Sequence, residues 1–378
     1  MSVDVAIVGG GITGAVAAYL FSKAGARVAV LEARAVAGGS TAASTALLMQ
    51  EPDKDVGELA RRYGRANARK IWLAMRRATR DFSKAIDALE IDCDFHPRES
   101  IYYTLDPERV VPLQRELRER KRAGVAGRWL SPVALQRLTG IAGQGAIATP
   151  GNAEVNPVKA CHGFLKGATD RGAQVFERSP VKRIANESGV LSIRTPRGVV
   201  RADQVVVATG YATADFRPLV GRFRMKDTFV IATRRLPERL RRSMLEKRAM
   251  LWDTDRPYHY LRWTDDGRLI LGGEDVEHRP RPDAAARLAA GRKRLMAYLA
   301  RIYPALADER PEYAWEGLFA ETSDGLPFVG AHLRYPRHLF ALGFGGNGMT
   351  AAFLAAQLLV ERYRREPDPR EPLFAFNR

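Results

Sequence analysis

The sequence predicts an α/β chain with an α+β portion in its second half, and three observations carry that prediction. An apolar run, Val3 to Val8, meets Gly9-x-Gly11-x-x-Gly14 and a helical pattern, and a second apolar run from Arg27 to Leu31 closes on Glu32. A third run, Val205-Val206-Val207-Ala208-Thr209-Gly210, is apolar throughout and ends in small residues, as suits a buried parallel strand. Residues 216 to 318 have a different texture. Their strand-like stretches are Thr228 to Arg234, Tyr258 to Trp263 and Leu269 to Gly273, and an Asp265-Asp266-Gly267 turn makes the last two a hairpin.

Each part of the N-terminal unit has a physical task. Gly9 permits a sharp turn, Gly11 lets backbone amides approach a pyrophosphate, and Gly14 lets the helix pack closely on the sheet. The helix N-terminus turns its positive dipole end toward the phosphates. Glu32, eighteen positions after Gly14, can accept from both ribose hydroxyls and would repel a 2′-phosphate. Strand, glycine loop, helix, strand and acid together predict a Rossmann-type dinucleotide site.

With 378 residues, 46% hydrophobic and 27% charged, the chain reads as an ordinary globular protein of two domains. No apolar run is long enough to span a membrane. The first strand begins at Val3, which leaves no cleavable signal before it, and Cys93 and Cys161 form no CxxC or metal spacing, so a cytoplasmic, disulfide-free protein is expected. The net charge of +17 would suit an anionic partner. Yet the basic clusters at Arg61-Arg62, Arg115 to Arg122, Arg234 to Arg248 and Arg292-Lys293-Arg294 are mostly interleaved with Glu and Leu on predicted helices, and read as solvated faces.

After Glu32 comes a glycine, serine and alanine loop rather than the next βα unit. Val56, Leu59, Tyr63, Ile71, Met75, Ala78, Phe82, Ile86 and Leu89 then recur at mostly helical steps without a proline, predicting one long amphipathic helix. Asp94 to Leu105 reads as strand, Asp106 to Ala123 as a charged helix with Pro107 in its first turn, and Asn156-Pro157 as another helix start. Short strands follow at Val175 to Ile184, Val190 to Thr195 and Val199 to Arg201. Asp283 to Tyr303 is a helix stopped by Pro304. Leu339 to Leu342 leads into Gly343, Gly345, Gly346 and Gly348 and the helix Met349 to Tyr363, after which the polar tail beyond Arg364 is expected to be loose.

Four segments point to one family. The Gly9 loop with Glu32, Gly38-Gly39-Ser40-Thr41, Ala208-Thr209-Gly210, and Thr322-Ser323-Asp324-Gly325-Leu326-Pro327 followed by Gly343 to Met349 stand in one order. Together they make the chain resemble the FAD-dependent D-amino-acid oxidase, glycine oxidase and sarcosine oxidase superfamily. The resemblance implies an FAD-binding domain built from discontinuous segments (1–90, 145–215, 319–378) and a mixed-sheet substrate domain (91–144, 216–318). It places Gly9, Gly11, Ile12, Thr13, Gly14, Glu32, Ala33, Arg34 and Val181 on the adenosine and phosphate half of FAD. Gly39, Ser40, Thr41, Thr45, Ala46 and Leu47 would run along the pyrophosphate and ring, with Ala208, Thr209 and Gly210 beside them. Gly345, Gly346, Asn347, Gly348 and Met349 would bring backbone amides to the negative charge that a reduced flavin carries. The implied chemistry is hydride removal from a C–N bond, giving an imine.

The chain also departs from that family. The arginine that holds a substrate carboxylate is absent from Gly317-Leu318-Phe319, and Gly345-Gly346 replaces a further basic residue. The cysteine that tethers flavin in sarcosine oxidases has no counterpart near the C-terminus, so non-covalent FAD is expected. The Leu269 to Glu274 stretch lacks the lysine that assists oxygen, leaving either oxygen or a carrier as electron acceptor. Tyr258, Tyr260 and Arg262 share one face of the hairpin and are candidate substrate residues, with Glu274 on the partner strand as a partner for a substrate ammonium. His259 would point away from that face, and His162 reads as a structural helix residue. Two alternatives remain: a hydroxy-acid or glycerol-phosphate type dehydrogenase, and a flavoenzyme acting on amine-bearing tRNA bases. Nothing in the chain interleaves aromatic and basic residues as a single-strand platform does, which disfavours nucleic acid.

Overall fold

The computed structural model describes residues 1–245, 249–279, 283–366 and 368–378. Lys247 and Arg248 of the predicted basic clusters lie outside the described residues.

The N-terminal apolar runs pair as parallel strands. Ser2–Val8 lies between Val28–Leu31 and Gly198–Gly210, with Tyr335–Leu342 parallel to the latter and Gln174–Phe176 parallel to Val28–Leu31. Phe328–His332 closes one edge antiparallel. The alternation of each strand feeds two cores. Val5, Ile7, Val30, Val206 and Ala341 face the helices Ile12–Lys23, Arg65–Ala88, Pro157–Thr169 and Gly348–Tyr363. Ala6, Leu31, Val205, Val207 and Phe340 face Leu191, Ile193, Phe216 and Phe376 on the other side.

The second sheet is largely antiparallel, in the order Pro311–Glu321, Arg224–Thr233, Leu269–Glu277, Tyr260–Trp263, Ala249–Asp253, His96–Thr104, Gly145–Glu154, Leu47–Leu48. The predicted hairpin is present, with Tyr260 opposite Gly272 and Leu261 opposite Leu271. One face, including Leu251, Leu261 and Leu271, packs on Leu295, Tyr298 and Leu299 of the helix Ala284–Ile302. The opposite face turns Trp252 and Tyr260 toward the first sheet. The strands Leu47–Leu48 and Gly145–Glu154, from segments assigned by sequence to the nucleotide part, hydrogen-bond within this second sheet.

Four sequence expectations need correction. The long helix is two, Val56–Tyr63 and Arg65–Ala88, because Gly64 turns the chain at φ +79. Val175 to Ile184 is not continuous strand, since Gln174–Phe176 and Arg183–Glu187 belong to different paths of the sheet. Arg120, in a cluster read as solvated, is 0% exposed. The tail is anchored: Phe374 is fully buried, and the Arg378 guanidinium donates to both oxygens of Asp324 at 2.8 and 2.9 Å. No helix among the described residues is long and apolar enough to cross a membrane.

Candidate active site

The glycine loop is as tight as its spacing implies. Gly9 has φ +109, and a Cβ there would lie 2.6 Å from the Ala208 carbonyl oxygen. A Cβ on Gly14 would lie 1.9 Å from the Gly9 oxygen, so this glycine sets the contact between helix and loop rather than the lining of a pocket. Ile12 N–H in the first helical turn donates to Thr41 Oγ1 at 3.0 Å. Glu32 receives Gly10 N–H at 2.7 Å and Arg34 N–H at 2.8 Å, so its carboxylate is fixed at the end of Val28–Leu31.

From this loop a cavity of about 640 Å³ runs between the two sheets. Its near end is lined by Gly9, Gly11, Ile12 and Thr13, by Glu32, Ala33, Arg34 and Val181, and by Ala208, Thr209 and Gly210. Gly39, Ser40, Thr41, Thr45, Ala46 and Leu47 form one side, and Gly345 to Met349 line it where the last helix begins. Ser40 Oγ donates to the Leu318 carbonyl at 2.6 Å and Trp315 Nε1 to the Ala43 carbonyl at 3.0 Å, which fastens this loop under Pro311–Glu321. Asn347 and Thr350 side chains both donate to the Met49 carbonyl, at 3.0 and 2.7 Å, joining the final helix to the same loop.

The far end is formed by the second sheet. Tyr258 and Tyr260 line it, their ring centroids 5.9 Å apart, with Trp252 alongside. Gly272 makes room: a Cβ there would lie 2.2 Å from the Tyr260 ring. His259 faces the other way, stacked on Tyr298 at 3.5 Å, with Nδ1 on Asp253 at 2.8 Å and Nε2 on Glu274 at 3.2 Å. Burial pulls the His259 pKa down, and the two carboxylates outweigh it, leaving it raised.

Two predicted substrate residues are elsewhere. Glu274 lines a separate pocket of about 680 Å³ behind the sheet, bound by His259 and by Arg294 at 2.7 Å. The cause is a bulge: Gly273 and Glu274 both have positive φ, and the register slips between Asp227 and Phe229, so Asp275 takes the cavity face. Arg262 does not line the cavity. Its guanidinium donates to the Thr45 carbonyl at 2.5 Å and the Trp263 carbonyl at 3.1 Å, bracing the loop against the hairpin. His162 is an exposed residue of Pro157–Thr169. Neither cysteine lines the cavity.

Sequence reasoning passed over four acids that do line it: Glu51, Asp53, Asp275 and Glu316. Burial pushes the Asp53 carboxyl up to about 7, against the Gly346 N–H it accepts at 2.7 Å. Burial likewise raises Asp275 to about 6. Glu316 is held by Arg287 through bonds of 2.7 and 3.0 Å. Glu51 accepts from Ser100 Oγ at 2.6 Å and faces Arg120, whose guanidinium also sits on Glu116 at 2.9 Å and over the Trp72 ring at 4.7 Å. Asp53 carried no signal beyond being an acid in a loop; Asp275 was recognisable only once the bulge was known.

Two sheets meeting over a cavity, with a dinucleotide loop at one end and an aromatic, acidic wall at the other, define a dinucleotide-dependent oxidoreductase. The family model described as FAD dependent oxidoreductase (DAO) matches residues 4–362, and the chain belongs to that family. It is similar to the gamma-glutamylputrescine oxidoreductase of Escherichia coli (strain K12), 28% identical over 97% of this chain and 84% of the relative. It is also similar to the glycine oxidase of Bacillus licheniformis, 25% identical over 99% of this chain and 96% of the relative. Among solved structures, the glycine oxidase from Geobacillus kaustophilus has the same fold, with a TM-score of 0.82, 21% identity, and 97% and 96% of the two chains covered. The protein is an FAD-dependent oxidoreductase.

Proposed function

We propose that this enzyme removes a hydride from the carbon of a C–N bond in an amine or substituted amino acid, releasing an imine. The carrying observation is the continuity of one cavity from the Gly9 loop to the Tyr258 and Tyr260 wall, which brings a dinucleotide and a small molecule within one enclosure. FAD, when bound, supplies the hydride acceptor.

In this reading Gly9, Gly11, Ile12 and Thr13 hold the pyrophosphate, with Gly14 packing behind them and Glu32 on the ribose. Ala33, Arg34 and Val181 border the adenosine. Gly39 to Thr41, Thr45 to Leu47 and Ala208 to Gly210 follow the dinucleotide toward the second sheet. Gly345 to Met349 present the amides of the last helix to its far end. Tyr258 and Tyr260 position the substrate, and Met49, Phe319 and Phe344 add apolar lining that excludes water.

The activities named for the two relatives, a gamma-glutamylputrescine oxidoreductase and a glycine oxidase, support a C–N substrate. The cavity acids oppose a hydroxy acid or phosphate ester, whose charge they would repel. They oppose an RNA backbone equally. With Leu318 and Phe319 in the cavity wall, no arginine follows Gly317 to hold a carboxylate. No lysine or histidine lines the cavity among the described residues, which favours a carrier over oxygen as acceptor. With both cysteines free and buried, we place the enzyme in the cytoplasm.

The test is anaerobic reduction of the FAD-loaded enzyme by amines, amino acids and hydroxy acids side by side. Bleaching by amines alone is expected, and readmitting air then separates oxidase from dehydrogenase. Reduction by hydroxy acids with no response to any amine would overturn the reading.

A further inference from the structure

Which amines the cavity accepts is decided by its acidic wall. Asp53 and Asp275 both line it, and the charges of both act on the Tyr258 hydroxyl. Asp275 Oδ1 is buried and accepts no hydrogen bond among the described residues. Glu51, 2% exposed, likewise has an unpartnered Oε2. Neither Asp53 nor Asp275 forms an ion pair among the described residues: Glu321, Lys54 and Asp275 act on Asp53 only through their charge, and Asp275 has the Thr228 hydroxyl as a neutral partner, with Lys226, Glu321 and His259 acting through their charge. Glu316, by contrast, is neutralised by Arg287. The cations lining the cavity among the described residues are Arg34, beside Glu32, and Arg256, which sits 5.9 Å from the Tyr258 ring.

Half-buried carboxyl groups without counter-ions, Asp53 and Asp275, beside the π faces of Tyr258, Tyr260 and Trp252, are the chemistry that recognises an organic cation. An α-amino acid brings its own carboxylate to this wall and is repelled. A lone ammonium held by the acids is also unproductive, because the reacting nitrogen must be neutral to push its electron pair into the forming C=N bond. A molecule with two nitrogens satisfies both demands.

Building on the amine reading, we propose that the substrate is an alkyl di- or polyamine, one nitrogen of which reacts while a second, protonated nitrogen is bound by Asp53 and Asp275 against the tyrosine rings. The carbon beside the reacting nitrogen would give its hydrogen and bonding pair to FAD as hydride acceptor, the nitrogen would release one proton to solvent, and C–N would become C=N. Binding the second nitrogen supplies the counter-charge that burial denies the acids. Diamine binding therefore releases protons and tightens as pH rises through the range of about 6 to 7 where the two carboxyls ionise.

The experiment is anaerobic flavin reduction of the FAD-loaded enzyme by terminal diamines, their monoacetyl derivatives, the matching monoamines, glycine and N-methylglycine. The best diamine is expected to half-saturate at a concentration about 10-fold or more below its matching monoamine. Asp275→Asn should erase most of that advantage while bound FAD stays unchanged, with Asp53→Asn as a second variant. Reduction by glycine or N-methylglycine at lower concentration than any diamine would overturn the diamine proposal and leave the amine reading intact. So would an undiminished diamine advantage in both variants. Silence from every amine, with a response to hydroxy acids, would remove both.

Discussion

The backbone N–H of Gly346 donates to Asp53 Oδ2 at 2.7 Å, joining two cavity-lining turns that lie 293 residues apart. Tyr258 closes the same corner, since a Cβ on Gly346 would lie 2.1 Å from its hydroxyl. The glycine turn before the last helix, the loop after Leu47–Leu48 and the segment leading into Tyr260–Trp263 thus converge on one carboxyl group.

That carboxyl has a stability signature. Burial raises Asp53 to about 7 in the folded chain from an ordinary value near 3.8. The folded state therefore holds a proton that the unfolded state has released, and this group's contribution to stability falls as pH rises from about 4 to about 7. Asp53→Asn should flatten that fall, so its stability relative to the parent improves from pH 4 to pH 8 in denaturant titrations of the FAD-free protein. A parallel offset at both pH values would show that Asp53 ionises freely.

Arg120 is expected to be structural. It has no exposure and is enclosed by Glu116, Glu51, Asp55 and the Trp72 ring. Arg120→Ala leaves buried carboxylates without their cation and should destabilise the fold by about 3–5 kcal/mol. Chemical denaturation reads this, and an unchanged midpoint would contradict it.

At the C-terminus, Arg378 and Asp324 are 3% and 4% exposed at the side chain. The ion pair, with Tyr63 donating as well, holds the Asp324 carboxyl well below the usual carboxylate range despite the opposing effect of burial. Its stabilisation is present at neutral pH and is lost as pH falls below the ordinary Asp value. Arg378→Ala should cost about 3–5 kcal/mol at pH 7 and progressively less in acid. Thermal melts across that pH range check the sign.

Glu32 takes two backbone N–H groups at the mouth of the cavity. Under the FAD reading, Glu32→Ala removes the ribose acceptor and loosens the loop, weakening FAD by about 1.5–3 kcal/mol, on the order of 10- to 100-fold in Kd. Recovery of flavin fluorescence on dilution measures it, and an unchanged Kd would assign Glu32 to the loop alone.

The parallel core was legible because Val3 to Val8 and Val205 to Gly210 are buried on both faces and carry their burial in composition. The hairpin was legible from its turn, and Tyr258, His259 and Tyr260 from simple alternation. Glu274 was misread because alternation fails at a bulge, which one sequence does not announce. Arg262 was misread because the Thr45 carbonyl that captures it comes from a loop 217 residues away. Asp53, Arg120 and the anchored tail share this character. Each is fixed by partners distant in sequence, and local pattern assigns them to solvent.

The most direct test of the account is single-turnover reduction of the FAD-loaded enzyme, without oxygen, by an amine and by its analogue deuterated at the carbon beside nitrogen. Complete bleaching of the visible flavin band, slowed by deuterium, is expected, with an aldehyde recovered after the imine hydrolyses. A chain that takes up no FAD, or a stably bound FAD that no amine bleaches, would contradict the account.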